Sequence, residues 1–466
     1  MTNSKPNDKK KISFLVALLP LVLVGALLLL SVLLFEAQPH PILIAGTLLI
    51  ALIAWRHGYS WSEIEESLAN NIRKGATAMV ILLIIGMLIG TWIGSGVVPA
   101  IMYYGFHLFS ASWYLPSILI LCSIVSVVTG SSWTTAGTVG VASIGIGQAL
   151  GIPETMIAGA VVSGAFFGDK LSPLSDSTNL TPCLLKVDLY EHIRHMLRTT
   201  LPSFVIALAL YAIIGYRITE NNAGALDISE YQQAITSQFD LSWLLFLPPA
   251  AILLMVILKV PAIPSLLIGT LLGSVMQMTV QGASLESLMT TIYAGPDIDT
   301  GWSEMDELLS RGGLSSMYSV VALAITALPF GGLMHDTGVL EALIRKMKKL
   351  LQSRGPLVAT TVLTSILINI FGANQYLSVV LPGQMYEDNY QDLKLHNKNL
   401  SRALEAGGTL TSPLIPWNSS GAFMMSVLGV NALAYAPFAF ICLLTPIVAI
   451  VFGFANINMP KKEETD

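Results

Sequence analysis

The chain has 466 residues, of which 53% are hydrophobic and only 11% charged, and its formal net charge is −5. Soluble domains carry about a quarter charged residues, yet neither Gly75–Pro153 nor Ala406–Pro460 contains one Asp, Glu, Lys or Arg. A soluble core is excluded, the composition describes an all-α polytopic membrane protein, and no basic stripe invites nucleic acid as a partner.

In chain order, apolar runs predict spans at 12–34, 40–55, 76–97, 199–216, 241–258, 261–281, 313–334 and 434–455. The first run, Ile12–Leu34, has 23 residues and no small-residue cleavage site behind it, so it reads as a retained span. Two stretches, 112–185 and 356–430, are apolar but interrupted by Gly, Pro, Ser, Thr and Asn. Short amphipathic pieces, Trp61–Lys74 and Leu340–Gln352, read as interfacial. Cys122, Cys183 and Cys442 lie far apart in apolar segments and read as small buried hydrophobes. The seven histidines form no HExxH or cofactor motif, so no cofactor and no enzymatic constellation is expected.

Lys and Arg set the orientation. Lys5, Lys9, Lys10 and Lys11 place the tail 1–11 in the cytoplasm. Arg56, Arg73 and Lys74, then Lys186, Arg194 and Arg198, then Arg345, Lys346, Lys348, Lys349 and Arg354 mark further cytoplasmic segments. Lys461 and Lys462 do the same for the tail 456–466. The segments 218–240 and 282–311 are acidic, with Asp227, Glu230, Asp240, Asp297, Asp299, Glu304, Asp306 and Glu307, and read as external. Parity then requires 112–185 to cross an odd number of times. A hairpin at 112–150 with its tip at Gly130–Thr134, followed by a broken crossing at 154–185 interrupted at Leu171–Asn179, satisfies this. A second hairpin at 356–386, tip Gly372–Tyr376, and a broken crossing at 403–430, interrupted at Ser412–Ser420, follow the same logic and leave Lys394, Lys398 and Arg402 inside. The expectation is about ten transmembrane helices plus two re-entrant hairpins, with both termini cytoplasmic.

The halves echo each other. Pro41-Ile-Leu-Ile-Ala-Gly-Thr-Leu-Leu matches Pro264-Ser-Leu-Leu-Ile-Gly-Thr-Leu-Leu, Gly94-Ser-Gly-Val-Val matches Asp336-Thr-Gly-Val-Leu, Gly130 matches Gly372, and Ser172-Pro-Leu matches Ser412-Pro-Leu. The charge map runs the matched spans in opposite directions. Two inverted repeats, 12–217 and 241–455, joined by the external linker 218–240, are therefore expected. Inverted repeats with broken helices at the midplane describe secondary transporters. A channel would instead need a continuous ring of donors.

Backbone at bilayer depth is tolerated out of helix only inside protein or beside a cavity. The four breaks are thus the candidate site, and they supply Ser131 and Thr134, Ser172, Ser175, Thr178 and Asn179, Asn374, then Ser412 and Asn418. These are hard oxygen donors suited to a small alkali cation. Asp169 and Asp176 sit seven residues apart around Pro173, and a membrane-embedded carboxylate is a functional candidate by default. A carboxylate that binds either Na⁺ or H⁺ exchanges one for the other by competition. The alternative for Asp169 is a pair with Lys170 or a helix cap. Lys170 is the one cation expected at membrane depth, and it pairs with an Asp, snorkels or meets an anion. Glu405 reads as a carboxylate at the inner mouth of the last broken crossing, His335 and Asp336 as a helix end, Trp133 and Trp417 as packing residues, and Glu36 and Glu154 as interfacial. No Arg falls at a break, which favours a cation over an organic anion as substrate.

Three of these motifs resemble a known family. Gly168-Asp-Lys-Leu-Ser-Pro-Leu-Ser-Asp-Ser-Thr-Asn-Leu-Thr-Pro, Thr411-Ser-Pro-Leu-Ile-Pro-Trp-Asn-Ser-Ser-Gly-Ala and Gly130-Ser-Ser-Trp-Thr-Thr-Ala-Gly-Thr-Val-Gly are similar to the hallmarks of the NhaC family of bacterial Na⁺/H⁺ antiporters, within the ion-transporter superfamily. The resemblance implies an inner-membrane homodimer of scaffold and transport units that moves like an elevator, exporting cytoplasmic Na⁺ for external H⁺. It implies Na⁺ at Asp176 with Ser172, Thr178 and Asn179, and Asp169 beside it. The same resemblance reaches malate–lactate and amino-acid exchangers, which the motifs do not separate.

Overall fold

The computed structural model describes residues 12–35, 37–105, 109–221, 228–258, 260–345, 351–372 and 374–462. Lys5, Lys9, Lys10, Lys11, Glu36, Asp227, Lys346, Lys348 and Lys349 lie outside the described residues. Every regular element among the described residues is helical, apart from one isolated bridge, Leu395 with Lys461.

The first part of the chain gives α1 (Phe14–Phe35), α2 (His40–Arg56), α3 (Trp61–Gly94) and α4 (Val97–Gly105). The segment expected as the first hairpin holds α5 (Ala111–Thr129), α6 (Ser132–Thr135), a π turn (Ala136–Gly140) and α7 (Val141–Ala149). The segment expected as the first broken crossing holds α8 (Glu154–Leu171) and α9 (Asp176–Leu185), and α10 (Leu189–Asn221) follows. After α11 (Ile228–Gln238), in the segment expected as the linker, come α12 (Leu247–Ile257), α13 (Ala262–Thr279), α14 (Leu285–Ala294), α15 (Ser303–Leu309), α16 (Tyr318–Asp336) and α17 (Val339–Arg345). The second hairpin is α18 (Arg354–Gly372) and α19 (Gln375–Asp392). The second broken crossing is α20 (Asn397–Leu404), a π turn (Glu405–Thr409), a 3-10 turn (Ser412–Leu414) and α21 (Ser419–Leu428), before α22 (Ala432–Tyr435) and α23 (Phe440–Ala455). Among the described residues, five helical stretches are long and apolar enough to cross a membrane, up to seven if each of two sharply bent pairs is one span, and four shorter apolar helices accompany them. Their outward faces carry Leu15, Ile44, Leu201, Leu254 and Leu271, a surface matched to lipid.

One group packs α3 against α13 and α16, with α2 also on α16. A second packs α5 against α8 and α10, and α18 against α19, α23 and the second π turn, with α10 crossing α23. The α5–α8 contact is close because α8 presents Gly164 and Gly168 one turn apart. A Cβ at Gly168 would stand 2.5 Å from the Ser123 carbonyl oxygen.

Several expectations needed correction. Trp61–Lys74 is not a separate interfacial piece but the start of α3, one helix of 34 residues. Ser60 and Glu63 close a capping box that starts it, and nothing breaks it before Gly94. The interruption expected over Leu171–Asn179 shrinks to Ser172–Ser175, because Ser175 caps a helix that already includes Asp176. Cys183 is exposed, whereas Cys122 and Cys442 are buried as expected. Arg402, expected only to lie inside, sits on α20. It is 1% exposed and donates to the Asn458 carbonyl at 3.1 Å, which pins the C-terminal segment. His396 N to Pro460 O (3.1 Å) and Lys462 N to Lys394 O (3.0 Å) complete that dock. Of the expected interfacial piece Leu340–Gln352, residues 340–345 are helical and 346–350 lie outside the described residues. In the acidic segment 282–311, Asp306 accepts from both the hydroxyl and the backbone N–H of Thr300 at 2.6 Å, which holds its carboxyl below the usual range.

Candidate functional site

The breaks form where proline forbids continuation. Ser172 precedes Pro173, so it is pushed to an extended conformation (φ −81°, ψ 129°), and the last turn of α8 loses its partners. The same happens at Ile415 before Pro416 (φ −108°, ψ 114°). Side chains then satisfy the freed carbonyls. Thr178 Oγ1 donates to the Asp169 and Lys170 carbonyls, both at 2.9 Å. Asn179 Nδ2 donates to the carbonyls of Pro173 (2.8 Å) and Ser175 (2.7 Å). Ser172 Oγ ties the break to α5 through the Val127 carbonyl at 2.7 Å.

The first hairpin meets this break at its tip. Gly130 ends α5 in the left-handed region (φ +68°) and lies against Leu174. Ser131 caps the next half-helix, accepting from Thr134 N at 3.1 Å, and the Thr134 hydroxyl also donates to Ser131 Oγ at 3.1 Å. The cap aims Ser132 at Asp169. The Ser132 hydroxyl donates to Asp169 Oδ2 at 2.7 Å, and Ser175 Oγ donates to Oδ1 at 2.5 Å. Ser177 Oγ stands 3.1 Å from Ser175 Oγ. Asp169 is buried, 7% exposed, and its carboxylate accepts from two hydroxyls, with Ser177 touching the second of them.

Asp176 opens α9 with its side chain exposed, within electrostatic range of Asp169. Tyr376, from the tip of the second hairpin, lies in range of both carboxylates. Reciprocally, Trp133 of the first tip stacks on Phe423 of α21, ring centroids 4.8 Å apart. Each hairpin tip thus reaches the other half's broken crossing.

The second break is a neutral network. Asn418 Nδ2 donates to Asn369 Oδ1 (3.1 Å), Asn369 Nδ2 to the Gly408 carbonyl (2.5 Å), and Ser412 and Ser420 hydroxyls to Gln375 Oε1 (3.2 and 3.0 Å). Asn374 caps α19 through Leu377 N at 3.1 Å. Trp417 donates to the Ile370 carbonyl at 2.6 Å, a packing role as expected. Glu405 is not at an open mouth: it is fully buried in the second π turn and accepts from the Thr181 hydroxyl of α9. Lys170 is fully buried as well. Asp336 accepts from Ser67 (2.5 Å), Asn71 (3.0 Å) and the His335 ring (2.9 Å), which fastens α16 to α3.

The geometry gathers Asp169, Ser132, Ser175 and Ser177, with Asp176 and Tyr376 nearby. It turns Ser172, Thr178 and Asn179 onto backbone carbonyls. Ser132, Ser177, Asn369, Gln375 and Ser420 were not singled out from the sequence, although all but Asn369 lie within or beside the break motifs. A carboxylate with rotatable hydroxyls suits a small hard cation: the hydroxyls donate to the free carboxylate and turn their lone pairs to a cation.

Comparison with known proteins supplies the family. The family described as "Na+/H+ antiporter family" matches residues 10–178 and 164–457. The Na⁺/H⁺ antiporter NhaC of Alkalihalophilus pseudofirmus is 41% identical, over 98% of this chain and 98% of its own length. The malate-2H⁺/Na⁺-lactate antiporter of Bacillus subtilis is 38% identical, over 87% of this chain and 86% of its own. The arginine/ornithine antiporter ArcD of Halobacterium salinarum is 38% identical, over 98% of this chain and 95% of its own. This multi-pass membrane protein belongs to the Na⁺/H⁺ antiporter family.

Proposed function

We propose that the protein exports cytoplasmic Na⁺ in exchange for external H⁺ across a bacterial inner membrane, with both termini cytoplasmic. Na⁺ and H⁺ compete for the carboxylate of Asp169, and Asp176 at the start of α9 serves the passage of ions to it. The observation that carries this reading is the buried Asp169 carboxylate at a helix break, held by Ser132 of the hairpin and Ser175 of the break. With Na⁺ bound, Ser132, Ser175 and Ser177 turn oxygen lone pairs to the ion. With H⁺ bound, the carboxyl is neutral and its hydroxyl partners re-pair around it. Either form neutralises Asp169, which lowers the cost of carrying it through the membrane.

The packing supports two inverted repeats. The contact of α2 with α16 mirrors that of α13 with α3, and the partners of α5 (α8, α10) mirror those of α18 (second π turn, α23). The helices carrying Pro41 and Pro264 are the swapped pair α2 and α13. We take α2, α3, α13 and α16 as scaffold, and the hairpins with the broken helices as the unit that moves.

The test uses proteoliposomes with an imposed acid-inside gradient. Adding Na⁺ alone should alkalinise the lumen, and Asp169→Asn should abolish the response. A second reading, exchange of organic acids or amino acids, draws on the names of two relatives. Silence with Na⁺, followed by a response only with malate, lactate, arginine or ornithine present, would replace the first reading with the second.

A further inference from the structure

Beside the Asp169 site lies a second set of buried charges that exchange at Asp169 leaves without a role. Lys170 Nζ is enclosed and has no hydrogen-bond partner. Glu405 Oε1 accepts from Thr181, while Oε2 has no partner. No ion pair joins the two side chains, yet each acts electrostatically on the other. The Thr409 hydroxyl, one turn on from Glu405, interacts with its carboxylate, and His192 Nε2 of α10 is buried without a hydrogen-bond partner. The charged and titratable neighbours are Asp169 on α8, His192 on α10, Arg402 on α20 and Cys442 on α23.

Unpaired charges inside a membrane protein are costly and persist where function needs them. The π turn that carries Glu405 ends α20 and packs on α8, which carries Lys170, and no salt bridge joins the two side chains. The Glu405 carboxylate has an oxygen free, and a hydroxyl acceptor stands beside it.

We propose that Lys170 and Glu405 form a second proton-accepting site, linked by charge to Asp169: Glu405 takes a proton when Asp169 is ionised and empty, and releases it when Na⁺ arrives. The proposal rests on the exchange reading above. The proton comes from hydronium: one of its O–H bonds breaks as one forms on Glu405 Oε2, water is left behind, and Lys170 stays an ammonium. With Na⁺ on ionised Asp169, an ionised Glu405 beside the Lys170 ammonium leaves the three residues and their ion neutral. With Asp169 ionised and empty, a protonated Glu405 leaves them neutral again. Na⁺ and H⁺ thus exclude each other through total charge as well as through competition for one carboxylate.

The experiment counts protons released per Na⁺ bound by the purified, detergent-solubilised full chain, using a pH indicator for protons and ²²Na⁺ for binding. In Glu405→Gln, Na⁺ binding should persist while release falls at least twofold. Lys170→Met should give the same loss although Glu405 remains, because without the ammonium Glu405 holds its proton permanently. The doubly neutral Lys170→Gln/Glu405→Gln protein serves if a single variant fails to fold. Unchanged release in variants that bind Na⁺ overturns the proposal and leaves the exchange reading standing. Wild-type protein that binds Na⁺ without releasing protons overturns both.

Discussion

Asp169 draws its stability as an anion from two hydroxyls, and this makes its neighbours testable one by one. The Ser132 bond to Oδ2 is 2.7 Å and charge-assisted, a class worth about 1.5–3 kcal/mol. Ser132→Ala should therefore raise the half-saturating Na⁺ concentration roughly ten- to a hundredfold in a Na⁺-titrated exchange assay. Asp176 has its side chain exposed, so Asp176→Asn should slow exchange severalfold without abolishing it. Loss of all exchange in Asp176→Asn, with Asp169→Asn active, would move the site's centre to Asp176. The two carboxylates were legible in the sequence because they interrupt otherwise apolar stretches next to Pro173. The choice of Ser132 over Ser131 was not legible. Adjacent hydroxyls point about 100° apart once a helix starts, and only the cap geometry says that Ser131 turns to the backbone and Ser132 to the carboxylate. Glu405 was misplaced for a related reason. It follows the charged segment 394–402, and nothing in composition reveals the π turn that buries it.

At the scale of elements, the breaks were legible and the uninterrupted helices were not. Gly and Pro stop a helix by local chemistry, so Gly130, Pro173, Gly372 and Pro416 mark their breaks directly. The length of α3 depends instead on a polar face continuing through the change from charged to apolar sequence. Its 34 residues span about 51 Å at 1.5 Å each, well beyond a hydrocarbon core of about 30 Å. The capping box at Ser60 should be worth about 1 kcal/mol. Ser60→Ala should speed amide hydrogen exchange in 61–66 while leaving transport near wild type. Gly130 is the stricter position. It has φ +68°, and an added Cβ would lie 2.7 Å from the Leu174 Cβ and 2.8 Å from its carbonyl carbon. Gly130→Ala should push the tip off the break, lower the thermal midpoint by an amount equivalent to about 1–3 kcal/mol, and cut exchange at least tenfold. An alanine variant with wild-type exchange would mean that contact between tip and break is not needed for transport.

Across the whole molecule, the two hairpin tips reach the broken crossing of the opposite half, while α3, α13, α16 and α2 pack among themselves. A site assembled from both halves of one unit keeps its geometry only if that unit moves as a body. On the proposed reading, sliding against the scaffold is the motion that exchanges access. The contact to break is at the N-terminal end of α16, where the Ser426 hydroxyl of α21 donates to the Ser316 carbonyl at 3.2 Å. Ser316→Cys with Ser426→Cys, in a background carrying Cys183→Ser, should react across this seam with a short bifunctional thiol reagent. Cys122 and Cys442 are buried and should stay silent. Cross-linked protein should lose Na⁺/H⁺ exchange in proportion to the fraction joined, with a cleavable reagent restoring it. Its Na⁺ binding should survive, because the Asp169 site lies wholly on one side of the seam. Full exchange in completely cross-linked protein would rule out movement of the unit along the scaffold and leave local gating around Asp169 as the way access alternates.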